Sequence, residues 1–227
     1  MMAIEAVEEF VKQYMSNYDC SHDWLHVQRV RKLAHELAMA ESAKSKVDFE
    51  LVDLAALLHD VGDTKYSKES AKQVISDLLT KMEYPSAVID KVCFIVENVS
   101  FRKELDHVEN GRTDAVYGGQ VELCCVQDAD RLDAIGAIGV ARCLAFTGAR
   151  NRPIYDPNLP PIPILTASEY NKQTAAMNGT ALNHFHEKLL LLESMMKTEK
   201  GRELAKARSA FITTFIDNIK AECDIKW

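Results

Sequence analysis

Glycine and proline are scarce in this 227-residue chain: nine Gly and six Pro, with five of the six Pro between Pro153 and Pro163. Together they reach about half of average usage, so most of the chain is free of helix and strand breakers. The six cysteines contain no CxxC pair, which argues against a zinc ribbon or a disulfide framework and fits reduced thiols in a cytoplasmic setting. No apolar run approaches the ~18 residues of a membrane span. The opening MMAIEAVEEF has three Glu and no Lys or Arg, so no secretory signal is expected there. Positive charge is also in deficit, with 27 Lys and Arg against 34 Asp and Glu, a net −7. Nucleic acid and anionic membranes are therefore poor partners, and any anionic ligand must be met locally.

What the sequence has in abundance is apolar residues recurring at three- and four-residue intervals, without the sustained alternation of strands. The expectation is an all-α, single-domain bundle over 1–227, with helices near 3–17, 22–42, 47–60, 68–83, 86–99, 119–147, 167–199 and 202–222. Thr166 with Glu169 reads as a capping box, Pro85 suits a first helical position, and Gly62 and Gly148 suit helix ends. Two segments rich in turn formers, 101–119 and 148–165, read as loops. The second is either a lid or a surface strap packed by Ile154, Tyr155, Leu159 and Ile164.

Three of these helices interrupt their own apolar stripe with a polar group. His26 heads a stripe with Val30, Leu33 and Leu37; His59 ends one formed by Val52, Ala55 and Ala56, with Asp60 next to it. Asp130 lies within a stripe of Leu123, Val126, Ala134 and Ala137. A carboxylate on such a face is costly unless a cation or several donors meet it. Arg29, Arg131 and Arg142 are the rival partners for Asp130, and Asp128 with Arg131 reads as a separate surface pair. Taken singly, each interruption has a plain structural explanation. Taken jointly, two imidazoles and two carboxylates from distant segments make an N₂O₂ set. It leaves about two positions open on an octahedral ion, suiting Mn²⁺, Fe²⁺, Co²⁺, Ni²⁺ or Mg²⁺ better than a closed zinc site.

The segments SHDWLHVQRV, LLHDVGD and QDADRLDAIGAIGVAR, in this order and spacing, resemble the HD-domain metal-dependent phosphohydrolase superfamily, most closely its small YpgQ/YedJ-like branch. The resemblance covers about residues 20–157; the helical part from about 166 to 227 is less diagnostic. It implies that His26, His59, Asp60 and Asp130 are metal ligands. It further implies hydrolysis of nucleoside or deoxynucleoside triphosphates to monophosphate and pyrophosphate. The alternatives are a 5′-nucleotidase-type monophosphate phosphatase and a non-catalytic nucleotide-sensing module. Where relatives often carry a His before the Ser-Phe that ends the fifth helix, this chain reads ENVSFRKE, with Asn98 nearest. A single divalent ion, Mn²⁺ foremost, is therefore expected.

Within that reading Asp63, three residues past Asp60, is the candidate general base or water-orienting group. Lys65, Arg102 and Lys103 are the local cations for phosphate, and His22 either touches phosphate or caps its helix. Asp133 is placed behind the ligands, where it would hold a histidine tautomer. The small residues Ala134 to Ala141 are assigned no chemistry. Met195, Met196 and the C-terminal Phe residues are core or oligomer-contact material, which leaves a homodimer open.

Overall fold

A computed structural model describes residues 2–16, 18–62, 70–163, 166–170 and 179–227. No strand occurs among them, and no single helix among them is long and apolar enough to cross a membrane. The helices are α1 (Met2–Met15), α2 (Trp24–Glu41), α3 (Phe49–Leu58), α4 (Ala71–Lys81), α5 (Ser86–Val99) and α6 (Phe101–Glu109). They continue with α7 (Thr113–Tyr117), α8 (Val121–Asp133), α9 (Gly136–Ala149), α10 (Ala181–Glu187), a 3₁₀ segment (Leu189–Met195) and α11 (Glu199–Glu222).

Local chemistry sets several starts. Asp23 accepts the His26 N–H at 3.0 Å and Asp48 the Leu51 N–H at 3.1 Å, each satisfying an orphan donor of a first turn. Thr166 and Glu169 exchange both bonds of a capping box, at 2.9 and 3.1 Å. Pro85 stands one place earlier than expected, at the cap position before Ser86. The middle of the molecule is α3, whose Leu51, Val52 and Leu54 to Leu58 are all buried. It packs against α2, α5 and α8. A helix apolar on all sides needs cover on all sides, and that need places its C-terminal end, with His59 and Asp60, inside the bundle.

Three expectations about elements are corrected. The segment 101–119 is mostly helical, because Ser100 caps α6 at the Lys103 N–H and Phe101, Glu104, Leu105 and His107 form a buried face. Only Asn110, Gly111 and Arg112 break the chain before α7. The helix expected over 119–147 is two helices bent by 70°: Ile135 is extended and Gly136, at φ +76°, starts α9. The apolar stripe of α8 therefore stops short of Ala137, which is exposed. The helix expected over 167–199 is interrupted too, with Thr180 capping α10 and Lys188 leaving helical geometry before the 3₁₀ segment.

The 148–163 stretch is irregular beyond α9. It is tied by backbone bonds from Ala181 and Leu182 N–H to the Pro153 and Ile154 carbonyls, and by Trp227 Nε1 donating to the Pro157 carbonyl. Ile154, Tyr155 and Leu159 are exposed, so the strap is held through its backbone rather than by those side chains. Ile164 lies outside the described residues.

Candidate metal centre

His26 and His59 are fixed by their outer nitrogens. His26 Nδ1 donates to Asp133 Oδ2 at 2.8 Å, and His59 Nδ1 donates to the Ala56 carbonyl at 2.8 Å. A carboxylate and a carbonyl can only accept, so both Nδ1 atoms carry hydrogen and both neutral rings keep their lone pair on Nε2. Those two Nε2 atoms face one another at 3.1 Å in the interior. Such an arrangement is repulsive between neutral rings unless a proton or a cation stands between them.

The acids complete the arrangement. Asp60 Oδ2 lies 3.2 Å from His26 Nε2 and 3.4 Å from His59 Nε2, and Asp130 Oδ1 lies 3.7 and 3.9 Å from the same atoms. Asp60 Oδ2 is buried without a hydrogen-bond partner. Two ligands at about 2.1 Å from one ion and at right angles to each other lie about 3.0 Å apart, so the donor types and the spacing fit a divalent cation. Asp130 is the most open of the four, its side chain 30% exposed, so the cluster has a solvent-facing side.

The electrostatics agree. Burial alone would lower the His59 pKa, but the Asp60 and Asp130 carboxylates beside it raise it to about 9. Burial would raise Asp60, and the facing His59 and His26 rings hold it well below the usual carboxylate range. The orphaned acid oxygen and the facing ring nitrogens show a site organised around positive charge.

Behind His26 sits a clamp that sequence reading found only in part. Burial would raise the Asp133 pKa, but His26, Arg29 and Arg142 keep it far down as a carboxylate. Arg29 Nε donates to Oδ1 at 2.7 Å and Arg142 to Oδ2 at 3.1 Å. None of the three arginines weighed as rivals for Asp130 pairs with it: Arg29 and Arg142 go to Asp133, and Arg131 goes to Glu104. The signal for Arg29 was present in its position three residues after His26 on one helix. Arg142 could not be placed without the α8–α9 bend.

The remaining residues separate. His22 lies beside the cluster, its ring edge-to-face with His26 and with Phe146 at 5.9 Å each, and its Nδ1 2.7 Å from Ser21 Oγ. The cap of α2 is Asp23, so the helix-capping expectation for His22 is corrected. Arg102 and Lys103 are exposed on the first turn of α6, and neither side chain is bonded to the four converging groups. Asp63 and Lys65 lie outside the described residues. Asp128 and Arg131 are not a surface pair: both are buried. Asp128 accepts from the Lys197 and Thr198 N–H groups and the Thr198 hydroxyl, while Arg131 pairs with Glu104, which also takes Lys197 Nζ at 2.8 Å.

A family model described as HD domain matches residues 24–135. The uncharacterized protein YpgQ of Bacillus subtilis is 31% identical over 221 residues, spanning 96% of this chain and 92% of the relative. A crystal structure of YpgQ in complex with ADP matches at TM-score 0.68 and 29% identity, over 95% of this chain and 97% of the other. A Lactobacillus plantarum crystal structure matches at TM-score 0.83 and 33% identity, over 99% and 98% of the two chains. A crystal structure described as an HD-superfamily hydrolase, from Bacillus thuringiensis, matches at TM-score 0.69 and 32% identity, over 99% and 98%. With the motif segments, the all-helical bundle and the His-His-Asp cluster in agreement, the chain belongs to the HD domain family of metal-dependent phosphohydrolases.

Proposed function

We propose that this protein is a nucleotide pyrophosphohydrolase, converting nucleoside or deoxynucleoside triphosphates to monophosphate and pyrophosphate with one divalent ion, Mn²⁺ foremost. The observation that carries the reading is the pair of tautomer-locked Nε2 atoms of His26 and His59, 3.1 Å apart with Asp60 and Asp130 around them. ADP in the crystal of the relative YpgQ supports a nucleotide as the small-molecule ligand.

His26, His59, Asp60 and Asp130 would hold the ion. When bound it supplies Lewis acidity toward phosphorus and a lowered pKa for water. Asp133 holds His26 in its Nδ1–H form, and the Ala56 carbonyl does the same for His59, so neither ring has to reorient. The half-exposed Asp130 leaves one side of the cluster open to substrate. Asp63, by its sequence position three residues after Asp60, takes the role of orienting or deprotonating the attacking water.

The test is a panel of nucleoside tri- and monophosphates with pyrophosphate and orthophosphate detected separately. Pyrophosphate from triphosphates is the expected product. Orthophosphate from monophosphates would replace this reading with a 5′-nucleotidase. Tight nucleotide binding by metal-loaded protein without turnover would replace it with a sensing module.

A further inference from the structure

α9 carries Arg142, Phe146 and Arg150 at i, i+4 and i+8, one stripe along a single face. The stripe starts at the metal centre, where Arg142 pairs with Asp133 and also donates to the Ser21 carbonyl at 2.6 Å. One turn further, Phe146 meets the His22 ring, itself against His26. Another turn on, the Arg150 guanidinium lies 4.4 Å over the Phe146 ring.

The helix ends there in a tight turn. Asn151 takes φ +52°, a left-handed conformation that Asn tolerates, and the Arg150 and Arg152 N–H groups both return to the Thr147 carbonyl, at 3.2 and 3.0 Å. Folding back brings Arg152 close to Arg150. Burial and then the like charge of Arg150 push the Arg152 guanidinium below its ordinary value. Arg152 forms no ion pair among the described residues, and its Nε is buried without a hydrogen-bond partner. The acid nearest Arg150 is Asp19, and its Oδ1 is already used by the Ser21 N–H and hydroxyl. Two arginines held together with so little compensating charge, on a protein of net −7, form a cationic pocket edge for an anionic ligand.

The geometry points to Arg150 and Arg152, where α9 runs out along the His22–Phe146 wall, as the subsite for the terminal diphosphate of a polyphosphate substrate. This rests on the pyrophosphohydrolase reading, in which that diphosphate is the leaving group: water bonds to the α-phosphorus, the α–β bridging bond breaks, and pyrophosphate departs with the bridging oxygen. The two guanidiniums meet the β- and γ-phosphate charge while His26, His59, Asp60 and Asp130 serve the α-phosphorus end. The subsite makes a triphosphate a better ligand than a monophosphate.

The experiment uses the full-length, metal-loaded protein with Arg150→Met, Arg152→Met, the double variant, and the matching Lys substitutions. Steady-state kinetics on triphosphates is paired with calorimetric binding of an α,β-methylene nucleoside triphosphate and of a nucleoside monophosphate, and with metal analysis. Each Met substitution is expected to raise KM and the analogue Kd about tenfold, the scale of a charge-assisted contact. Metal content and monophosphate binding stay as in wild type, and Lys recovers part of the loss. An unchanged analogue Kd in the folded double variant, or an equal loss for the monophosphate, overturns the subsite. Absence of pyrophosphate release by wild type overturns the functional reading instead, and the analogue-to-monophosphate comparison still judges the arginines.

Discussion

His26 Nδ1 donates to Asp133 Oδ2 across 2.8 Å, joining the first turn of α2 to the last turn of α8. The same carboxylate takes Arg29 from α2 and Arg142 from α9, so three helices meet at one buried acid. The orientation of the His26 ring is thereby decided by a residue that does not reach the metal centre itself.

Replacing Asp133 by Ala should lower metal affinity about 10- to 100-fold, the usual cost of losing an outer partner of a ligating histidine. A titration of metal-free protein with Mn²⁺, read by calorimetry, checks this. Unchanged affinity would show that helix packing alone orients the ring.

Asp130→Ala and Asp63→Ala should behave differently. The first removes a donor from the cluster and should lose metal and activity together, with little change in Tm because the side chain is 30% exposed. The second should keep its metal and lose rate. Elemental analysis alongside turnover separates them, and an active Asp130→Ala would contradict the ligand assignment.

Glu104 neutralises two buried cations, Arg131 and Lys197 Nζ. Glu104→Ala strands both and should cost about 3–5 kcal/mol in urea unfolding.

The same acid gives a pH dependence. Burial would raise Glu104, but Arg131 and Lys197 hold it below its ordinary 4.5. A folded value below the unfolded one means that its stabilisation is fully present above about pH 4.5 and is lost as pH falls through the depressed value. Glu104→Gln should therefore flatten the acid limb of a Tm–pH curve. A limb that keeps its slope would assign acid sensitivity to other carboxylates.

Sequence pattern exposed the ligand set because His26, His59 and Asp130 sit where a hydrophobe belongs, and three such interruptions on separate helices have a common cause. It failed where tertiary packing decides. Asp128 and Arg131 have the spacing of a surface pair, yet each is turned inward to a different partner supplied by residues 104 and 195–198. Arg152 fell within a segment already read as loop, and its pairing with Arg150 depends on a backbone turn at Asn151 that no periodicity announces. The α8–α9 break was hidden for a similar reason: Ala134, Ile135 and Gly136 are compatible with helix, and only φ +76° at Gly136 ends it.

The Asp128 clasp bears on where this domain can be cut. Its two oxygens secure the residues that enter α11, and Gly201 leaves room for them: a Cβ there would lie 2.7 Å from Asp128 Oδ2 and 2.5 Å from Thr198 Oγ1. The helix bearing Asp130 is thus anchored by chain some seventy positions downstream. A fragment trimmed to the motif-bearing stretch would keep every metal donor and lose the mooring that holds α8 in register.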